Sequence, residues 1–262
     1  MEVVKLNERI IEIENVSKIY RKDEGERKIL NNINLSINCG EFVTIVGKSG
    51  CGKSTLLKII SGMTETSEGE VRIKGEKARK YNENCSIVFQ EPRLFPWLKI
   101  RENINIGLKN LSKREKDAKA DEYMKLVGLK GYENSYPKEL SGGMSQRAAI
   151  ARGLIMDSDI ILLDEPFGAL DAMTKINMQE EVLKIRKEKK KTMILVTHDI
   201  EEAVYLGDRV IVLSSNPGEI RDIVNIEIEG IKDRTNSEFA YYKNMIYDYF
   251  FESQDENVEY KI

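Results

Sequence analysis

The segment GKSGCGKST, residues 47–55, constrains the fold of this chain more than any other stretch. It fits the pattern G-x-x-x-x-G-K-[ST], with Gly47, Gly52, Lys53 and Ser54 at the fixed positions. The strand-like run EFVTIV comes directly before it, and the helix-like run KSTLLKIISG opens from its end. Strand, glycine-rich loop and helix in this order predict a loop whose backbone N–H groups surround phosphate oxygens at a helix N-terminus.

The side chains of this loop also have expected parts. Lys53 is placed to reach the β- and γ-phosphates of a nucleotide, and the Ser54 hydroxyl to ligate Mg²⁺. Cys51 lies inside the loop, so alkylation of its thiol is expected to block nucleotide binding. The predicted phosphate-binding residues are Gly47, Lys48, Ser49, Gly50, Cys51, Gly52, Lys53, Ser54 and Thr55.

A pair of acids follows the apolar run of IILLDE, residues 160–165. Asp164 and Glu165 come at the carboxyl end of a predicted buried strand, where ligands of α/β sheets collect. Asp164 is expected to hold Mg²⁺ through water. Glu165, pointing the other way along the strand, is expected to polarise an attacking water as general base. An Asn-Lys-x-Asp element that reads guanine is not found, which favours ATP over GTP.

The composition argues against several classes of protein. A net charge of −3 on 262 residues argues against a nucleic-acid partner, and the basic run KIRKEKKK at 184–191 is interpreted as a solvated helix end. Three cysteines without CxxC pairing and a single histidine argue against a structural zinc site and favour a reducing compartment. The N-terminus lacks a signal-peptide pattern, and the apolar runs are too short to span a membrane, so a soluble protein is expected.

Strand-like and helix-like patterns divide the chain into regions. Eight strand-like runs are recognised: IIEIENV, NINLSI, EFVTIVG, EVRIKG, CSIVFQ, DIILLDE, TMILVTH and RVIVLSS. Together with the glycine-rich loop and the acidic pair, they predict an α/β fold with a P-loop NTPase (RecA-like) core and an N-terminal antiparallel β subdomain; the helical pattern that replaces them between about 92 and 157 predicts an inserted α-helical subdomain. Within one domain of residues 1–262, the core with its β subdomain is expected over 1–91 and 158–216, and the helical insert over 92–157. A C-terminal tail covers 217–262.

The tail contains an aromatic-rich segment, SEFAYYKNMIYDYFFES. Phe239, Tyr242, Ile246 and Phe250 recur at helical spacing and form one apolar face. We expect this face to pack on the core; contact with a partner or a second copy is the alternative.

LSGGMSQR, residues 140–147, predicts a second anion-binding site. Ser141 stands at the N-cap of a helix-like run, with Gly142 and Gly143 beside it. The segment resembles the signature motif of the ABC ATPase family. Ser145 departs from the family pattern, where Gln is common at this position; because Ser141 and the glycines are kept, the contact with the γ-phosphate is expected to be kept as well.

The resemblance extends along nearly the whole chain in family order, and it implies roles for further residues. Tyr20 matches the aromatic residue that stacks on adenine, and Gln90 matches a contact to Mg²⁺ and water. GALD, residues 168–171, matches a loop that crosses a dimer interface, and His198 matches a histidine on the γ-phosphate. Catalytic parts are thereby implied for Glu165, His198, Lys53 and Gln90.

The resemblance also implies a mechanism. Two copies close head to tail around two ATP molecules, and Ser141 and Gly143 of each copy complete the site of the other. The cycle of ATP binding and hydrolysis drives an attached membrane protein. The chain is therefore expected at the cytoplasmic face of the cell membrane as a peripheral subunit.

The segment VFQEPRLFPWL, residues 88–98, holds the only tryptophan and two of the five prolines. Prolines in quick succession predict an exposed connection. The family resemblance makes Gln90–Trp97 and the helical subdomain a docking site for a transmembrane permease subunit; local core packing of Trp97 is the alternative. FQEPRLFPWLKIRENI, SSNPGEI and DRTNSEFA resemble importers of nitrate, sulfonates or taurine, which use a separate extracytoplasmic solute-binding protein.

Other functions remain open at this point. A cassette for another cargo, such as a vitamin precursor or an exporter substrate, is one alternative, and a non-transport ABC ATPase is another. The chain between Gly52 and Leu140 shows no sustained heptads, which argues against the chromosome-maintenance type. A regulatory or scaffold protein with an inactive cassette conflicts with the intact set of catalytic candidates, Lys53, Asp164, Glu165 and His198.

Overall fold

The computed structural model of the chain describes residues 8–22, 25–78, 82–228, 230 and 232–251. Two β-sheets and seven α-helices form within these ranges. The smaller sheet is antiparallel throughout. Its strands, in order across the sheet, are β2 (Gly25–Asn38), β1 (Arg9–Lys22), β4 (Glu68–Ile73) and β5 (Glu76–Lys77).

The larger sheet has five parallel strands and one antiparallel edge strand. Because the carboxyl ends of parallel strands lie at one edge, the loops that follow β3, β7 and β8 meet there. Across the sheet the order is β10 (Ile220–Asn225), β9 (Arg209–Leu213), β3 (Phe42–Gly47), β8 (Thr192–Thr197), β7 (Ile160–Asp164) and β6 (Cys85–Val88).

The two faces of the larger sheet are covered by different elements. Ile45 and Val43 of β3 pack in a core shared with the smaller sheet and α1, whereas Phe42 and Val46 pack among the other helices. Burial on both faces explains why β3, β7 and β8 are nearly continuous apolar runs. The helices are α1 (Lys53–Ile60), α2 (Ile100–Asn105), α3 (Lys113–Leu126), α4 (Gly142–Leu154), α5 (Ala172–Lys189), α6 (Ile200–Leu206) and α7 (Ser237–Phe251).

The expected fold class is confirmed. Each of the eight strand-like runs contains a strand, and α2, α3 and α4 lie between residues 92 and 157. Two strands were not expected, β5 with two residues and the polar edge strand β10. Across the described ranges, no helix is both long enough and apolar enough to cross a membrane.

The aromatic segment of the tail forms α7, and its expected packing is confirmed. Phe239 and Ile246 are fully buried, and Tyr242 and Phe250 pack against the same core. The last two residues of the predicted helical segment, 252–253, lie outside the described residues. The run 184–191 covers the last turns of α5 and the two residues after it; the expectation of a solvated end holds for 187–190, which are exposed, but Ile185 is buried and the half-buried Arg186 pairs with Asp208.

Candidate functional site

The glycine-rich loop joins β3 to α1 at the carboxyl edge of the larger sheet. Gly50 and Gly52 have φ angles of 79° and 103°, which favour glycine. A Cβ at Gly52 would lie 2.6 Å from the side chain of Leu30, so a larger residue would not fit. The buried Lys53 ammonium donates to the carbonyl oxygens of Gly47 at 2.8 Å and Lys48 at 3.3 Å. The backbone carbonyls of the loop thus fix the position of the Lys53 ammonium.

Ser54 and Asp164 meet next to this loop. The Ser54 hydroxyl donates to Oδ1 of Asp164 at 2.7 Å, across the gap between α1 and the end of β7. Burial raises the pKa of Asp164 above its usual range, and the Ser54 hydrogen bond partly offsets this. A hydroxyl and a carboxylate are the oxygen ligands that Mg²⁺ accepts when phosphates and water complete its shell. No cluster of three or more His, Cys, Asp or Glu fit to hold a metal occurs within the described ranges.

Glu165 follows the last residue of β7 and leaves the extended conformation. Its φ of 45° is unusual for a residue other than glycine, and its N–H donates to the carbonyl of Val196 at 2.9 Å. The expectation that Glu165 continues the strand and points the opposite way to Asp164 is therefore wrong. The turn brings its carboxylate next to Nδ1 of His198, 2.9 Å from Oε2, and to Nε2 of Gln90, 3.5 Å from the same oxygen.

His198 follows the end of β8, and its side chain is 69% exposed. The next residue, Asp199, caps α6 by accepting from the N–H of Glu202 at 3.1 Å. The Lys175 ammonium of α5 lies 2.7 Å from Asp199 and 3.1 Å from the buried Glu202. This ion cluster fixes the segment that carries His198. Sequence reasoning missed it, because Lys175 lies on a different helix and belongs to no motif.

An open cleft of about 670 Å³ brings most of the candidate residues together. Tyr20 of β1 lines the cleft, as does Arg27 of β2, its partner in the adjacent strand. Arg27 and Ile29 were not predicted, since strand residues that face a cleft carry no motif. The predicted residues that line the cleft are Tyr20, Ser49, Gly50, Gly52, Lys53, Ser54, Thr55, Gln90, Glu165 and His198.

Cys51 occupies the opposite side of the loop. Its side chain is 1% exposed and packs in the core beneath the loop; a Cβ added to Gly47 would lie 2.6 Å from its sulfur. Burial raises the pKa of the Cys51 thiol. The thiol is therefore shielded from reagents, and the main chain of Cys51 is the part that can face a phosphate; that alkylation blocks nucleotide binding stays a prediction.

The second glycine segment stands apart from the cleft of its own chain. Ser141 caps α4 by accepting from the N–H of Met144 at 3.3 Å, and Ser141 and Gly142 are exposed. A Cβ on Gly143 would lie 3.3 Å from the carbonyl oxygen of Ala169 in the segment GALD. Ser141, Gly142 and Gly143 are not among the residues that line the cleft.

The segment after β6 is an exposed connection, as expected. Trp97 is 69% exposed and its ring centre lies 5.5 Å from that of Phe95, so core packing of Trp97 is excluded. The Arg152 guanidinium of α4 donates to the carbonyl oxygens of Pro92 at 2.7 Å and Arg93 at 2.8 Å. Sequence reasoning did not find this link between the loop and α4.

The chain is similar to known proteins along most of its length. A family model described as ABC transporter matches residues 30–168. An aliphatic sulfonates import ATP-binding protein of Bacillus thuringiensis subsp. konkukian is 47% identical over 92% of this chain and 95% of its own length. The protein of the same name from Bacillus subtilis is 45% identical over 91% and 93%. An uncharacterised ABC transporter ATP-binding protein of Methanocaldococcus jannaschii is 46% identical over 90% and 89%.

Solved structures show the same fold. An ATP-binding cassette captured as a dimer in a post-hydrolysis state, bound to ADP and Pi, matches with a TM-score of 0.77 and 35% identity. A second dimeric structure, of a bacterial ABC transporter cassette, matches with a TM-score of 0.78 and 36% identity. Both matches cover 84% of this chain and the whole of the other chain.

Proposed function

The chain belongs to the ABC transporter family, as an ATP-binding protein and ATPase, and from this membership we propose that it energises import of an aliphatic sulfonate. The catalytic part of the proposal depends on one observation, the carboxylate of Glu165 held by His198 at the mouth of the glycine-rich loop. The proposed cargo depends on the printed names of relatives that match over nearly their full length.

We propose that the cleft binds ATP with Mg²⁺. Tyr20 would stack on the adenine ring, and the loop from Gly47 to Thr55 would surround the phosphates. Ser54 and Asp164 fit Mg²⁺, with Gln90 near enough to contact its water shell. When bound, the metal neutralises charge on the phosphate oxygens.

Glu165 would act as general base toward the attacking water. The contact with His198 restrains the carboxylate, and the turn at Glu165 directs it into the cleft rather than along the strand. Lys53 would stabilise negative charge on the phosphates as it develops. The protein therefore contributes mainly position and charge to phosphoryl transfer.

The chain would work as a head-to-tail dimer. Ser141 and Gly142 are exposed and do not line the cleft of their own chain, whereas Ser49 and His198, which line the cleft, are also exposed and accessible to a second copy. Ser141, Gly142 and Gly143 of one copy would complete the cleft of the other. The dimeric cassettes to which the chain is similar support this arrangement.

The exposed loop from Gln90 to Trp97 would dock a transmembrane permease subunit at the cytoplasmic face of the membrane. Exposed aromatic side chains such as Phe95 and Trp97 contribute strongly to interfaces. Gln146 of α4 donates to the carbonyl of Phe89 at 3.1 Å, and Arg152 holds the next carbonyls of the loop. The loop is thus tied to α4, the helix that Ser141 caps. An extracytoplasmic solute-binding protein would deliver the cargo to the permease.

The decisive test uses Glu165→Gln, which keeps the shape of the side chain and removes the base. We expect ATP hydrolysis to fall about 100-fold or more while ATP binding persists, and the protein to accumulate as an ATP-dependent dimer. Glu180→Gln removes one charge from an exposed site on α5 and serves as the matched control. Unchanged hydrolysis in Glu165→Gln would remove Glu165 from the base role.

The proposed cargo is tested with the same variant. Tagged Glu165→Gln protein is extracted from its native membranes with mild detergent and ATP, and a permease is expected to come with it. The associated solute-binding protein is then titrated with taurine, a linear alkanesulfonate and nitrate. Tight binding of nitrate alone would contradict the sulfonate proposal, and recovery of soluble partners without a permease would contradict transport.

A further inference from the structure

A groove of about 290 Å³ lies beside the nucleotide cleft, and its aromatic side, made by Tyr247 and Phe250, takes no part in the function proposed above. One wall is made by α7, the aromatic helix of the tail, and the other by the glycine-rich loop and the start of α6. The side chains that matter for its chemistry are Lys48, Ser49, His198, Ile200, Tyr247 and Phe250.

The position of α7 is fixed by contacts at both ends. Phe239 and Ile246 are buried in the core. Near the end of the helix, the Tyr249 hydroxyl donates to Asp222 of β10, and the Arg221 guanidinium donates to the carbonyl of Tyr249. The aromatic wall of the groove is therefore held next to the loop by specific hydrogen bonds and by burial.

The groove adjoins the nucleotide cleft. Ser49 and His198 border both cavities. Any surface that closes over the cleft on this side also covers the groove. Under the proposed head-to-tail dimer, that surface belongs to a second copy of the chain.

An exposed apolar side chain follows the segment GALD, which is expected to cross the dimer interface. Met173, in the first turn of α5, is 69% exposed and comes two residues after the segment GALD. The Lys175–Asp199 contact ties this turn of α5 to the segment that carries His198 and begins α6. Methionine is unbranched and adapts to irregular apolar cavities.

We propose that the groove receives Met173 of a second copy, so that the tail helix α7 forms part of the dimer interface. The proposal depends on the head-to-tail dimer proposed above. In a two-fold dimer the contact is made twice, because each copy presents both the methionine and the groove. Closure around ATP would then bury Met173 against Ile200, Tyr247 and Phe250, and would couple the tail to the nucleotide state.

Cross-linking between singly substituted chains tests the contact. Met173→Cys and Tyr247→Cys are made in separate chains that also carry Glu165→Gln, Cys39→Ala and Cys85→Ala; the buried Cys51 is kept. The two proteins are mixed with ATP and a short bis-maleimide. A covalent dimer, joined at positions 173 and 247 by peptide mapping, is expected only in the presence of ATP. Tyr241→Cys, on an exposed turn of the same helix, is the control that should give no such product.

Dimerisation supplies a second measurement. In the Glu165→Gln background, Met173→Ser and Tyr247→Ser should each raise the protein concentration needed for half-dimerisation by about tenfold, while Tyr241→Ser should not. A normal ATP-dependent dimer without the 173–247 product, and without weakening in either serine variant, would overturn the groove contact and leave the proposed function standing. Failure of Glu165→Gln to dimerise with ATP would overturn both.

Discussion

The chain has two glycine segments that suit phosphates, and their surroundings differ sharply. The loop at 47–55 is built into the edge of a buried parallel sheet; Lys53 is 6% exposed and Gly52 is confined by Leu30. The segment at 141–143 caps the outward end of α4, where Ser141 is exposed and a Cβ on Gly142 would meet nothing. The first segment lines a cleft within its own chain, whereas the second lines no part of that cleft and, in our proposal, contributes to the site of another copy.

The largest expected effect is the recovery of ATP hydrolysis when two inactive variants, one in each segment, are mixed. Lys53→Ala removes the charge of the cleft, and Ser141→Arg places a bulky side chain on the outward segment. Each variant alone should lose ATP hydrolysis about 100-fold or more, because both sites of its dimer carry one defect. An equal mixture should recover roughly a quarter of the wild-type rate, since half of the random dimers are mixed and hold one intact site of two.

The control for Ser141→Arg is Ser112→Arg. Ser112 caps α3 in the same helical region, with its hydroxyl accepting from the N–H of Glu115, so this change also removes a cap. Ser112→Arg should keep hydrolysis. Mixtures of Lys53→Ala and Ser141→Arg that stay inactive, although both proteins are folded and form dimers, would contradict a shared site.

Arg152 gives the next largest expected effect, because it connects α4, which Ser141 caps, with the loop from Gln90 to Trp97 that we propose as the docking site. Arg152→Ala removes the two hydrogen bonds to the loop carbonyls of Pro92 and Arg93. We expect stimulation of ATP hydrolysis by the permease to fall about tenfold, as loop and helix no longer move together, while the isolated chain changes by less than about twofold. Hydrolysis is measured with and without the reconstituted permease.

Arg147 is the matched control for this prediction. It lies on the same helix and also donates to two carbonyls, those of Val127 and Gly128, away from the docking loop. Arg147→Ala should leave stimulation intact. Equal loss of stimulation in both variants would assign Arg152 to the stability of α4 rather than to coupling.

Local patterns explain how much of the molecule could be predicted from its sequence. The loop at 47–55, the pair Asp164 and Glu165, and the helix cap at Ser141 are each formed by residues close together in sequence. The spacing of those residues was therefore enough to predict them. The short strand β5 and the polar edge strand β10 lack the apolar period that identifies a strand. The turn at Glu165 was missed because a positive φ at a glutamate has no sequence pattern. The approach of Tyr247 to the loop joins parts of the chain far apart in sequence, and no local motif records such contacts.

The smallest expected effect concerns the inner side of the 47–55 loop. Cysteine labelling tests whether reagents are kept from the side chain of Cys51 there, as its burial indicates. Cys51 is 1% exposed, whereas Cys39 and Cys85 are half-buried. Burial raises the pKa of all three thiols, that of Cys85 to about 12. Because the thiolate is the reactive form, labelling should be slow at neutral pH and should accelerate as the pH rises toward these pKa values.

We expect N-ethylmaleimide to modify Cys39 first and Cys51 only slowly, with ATP binding unchanged while Cys39 reacts. Peptide mass mapping at timed intervals gives the rate at each cysteine, and labelling in denaturant should remove the difference between them. Cys51 reacting as fast as Cys39 in the folded protein would show that the inner side of the loop opens readily. The 47–55 loop would then not be held closed by the sheet beneath it, and it would no longer differ in this respect from the exposed segment at 141–143.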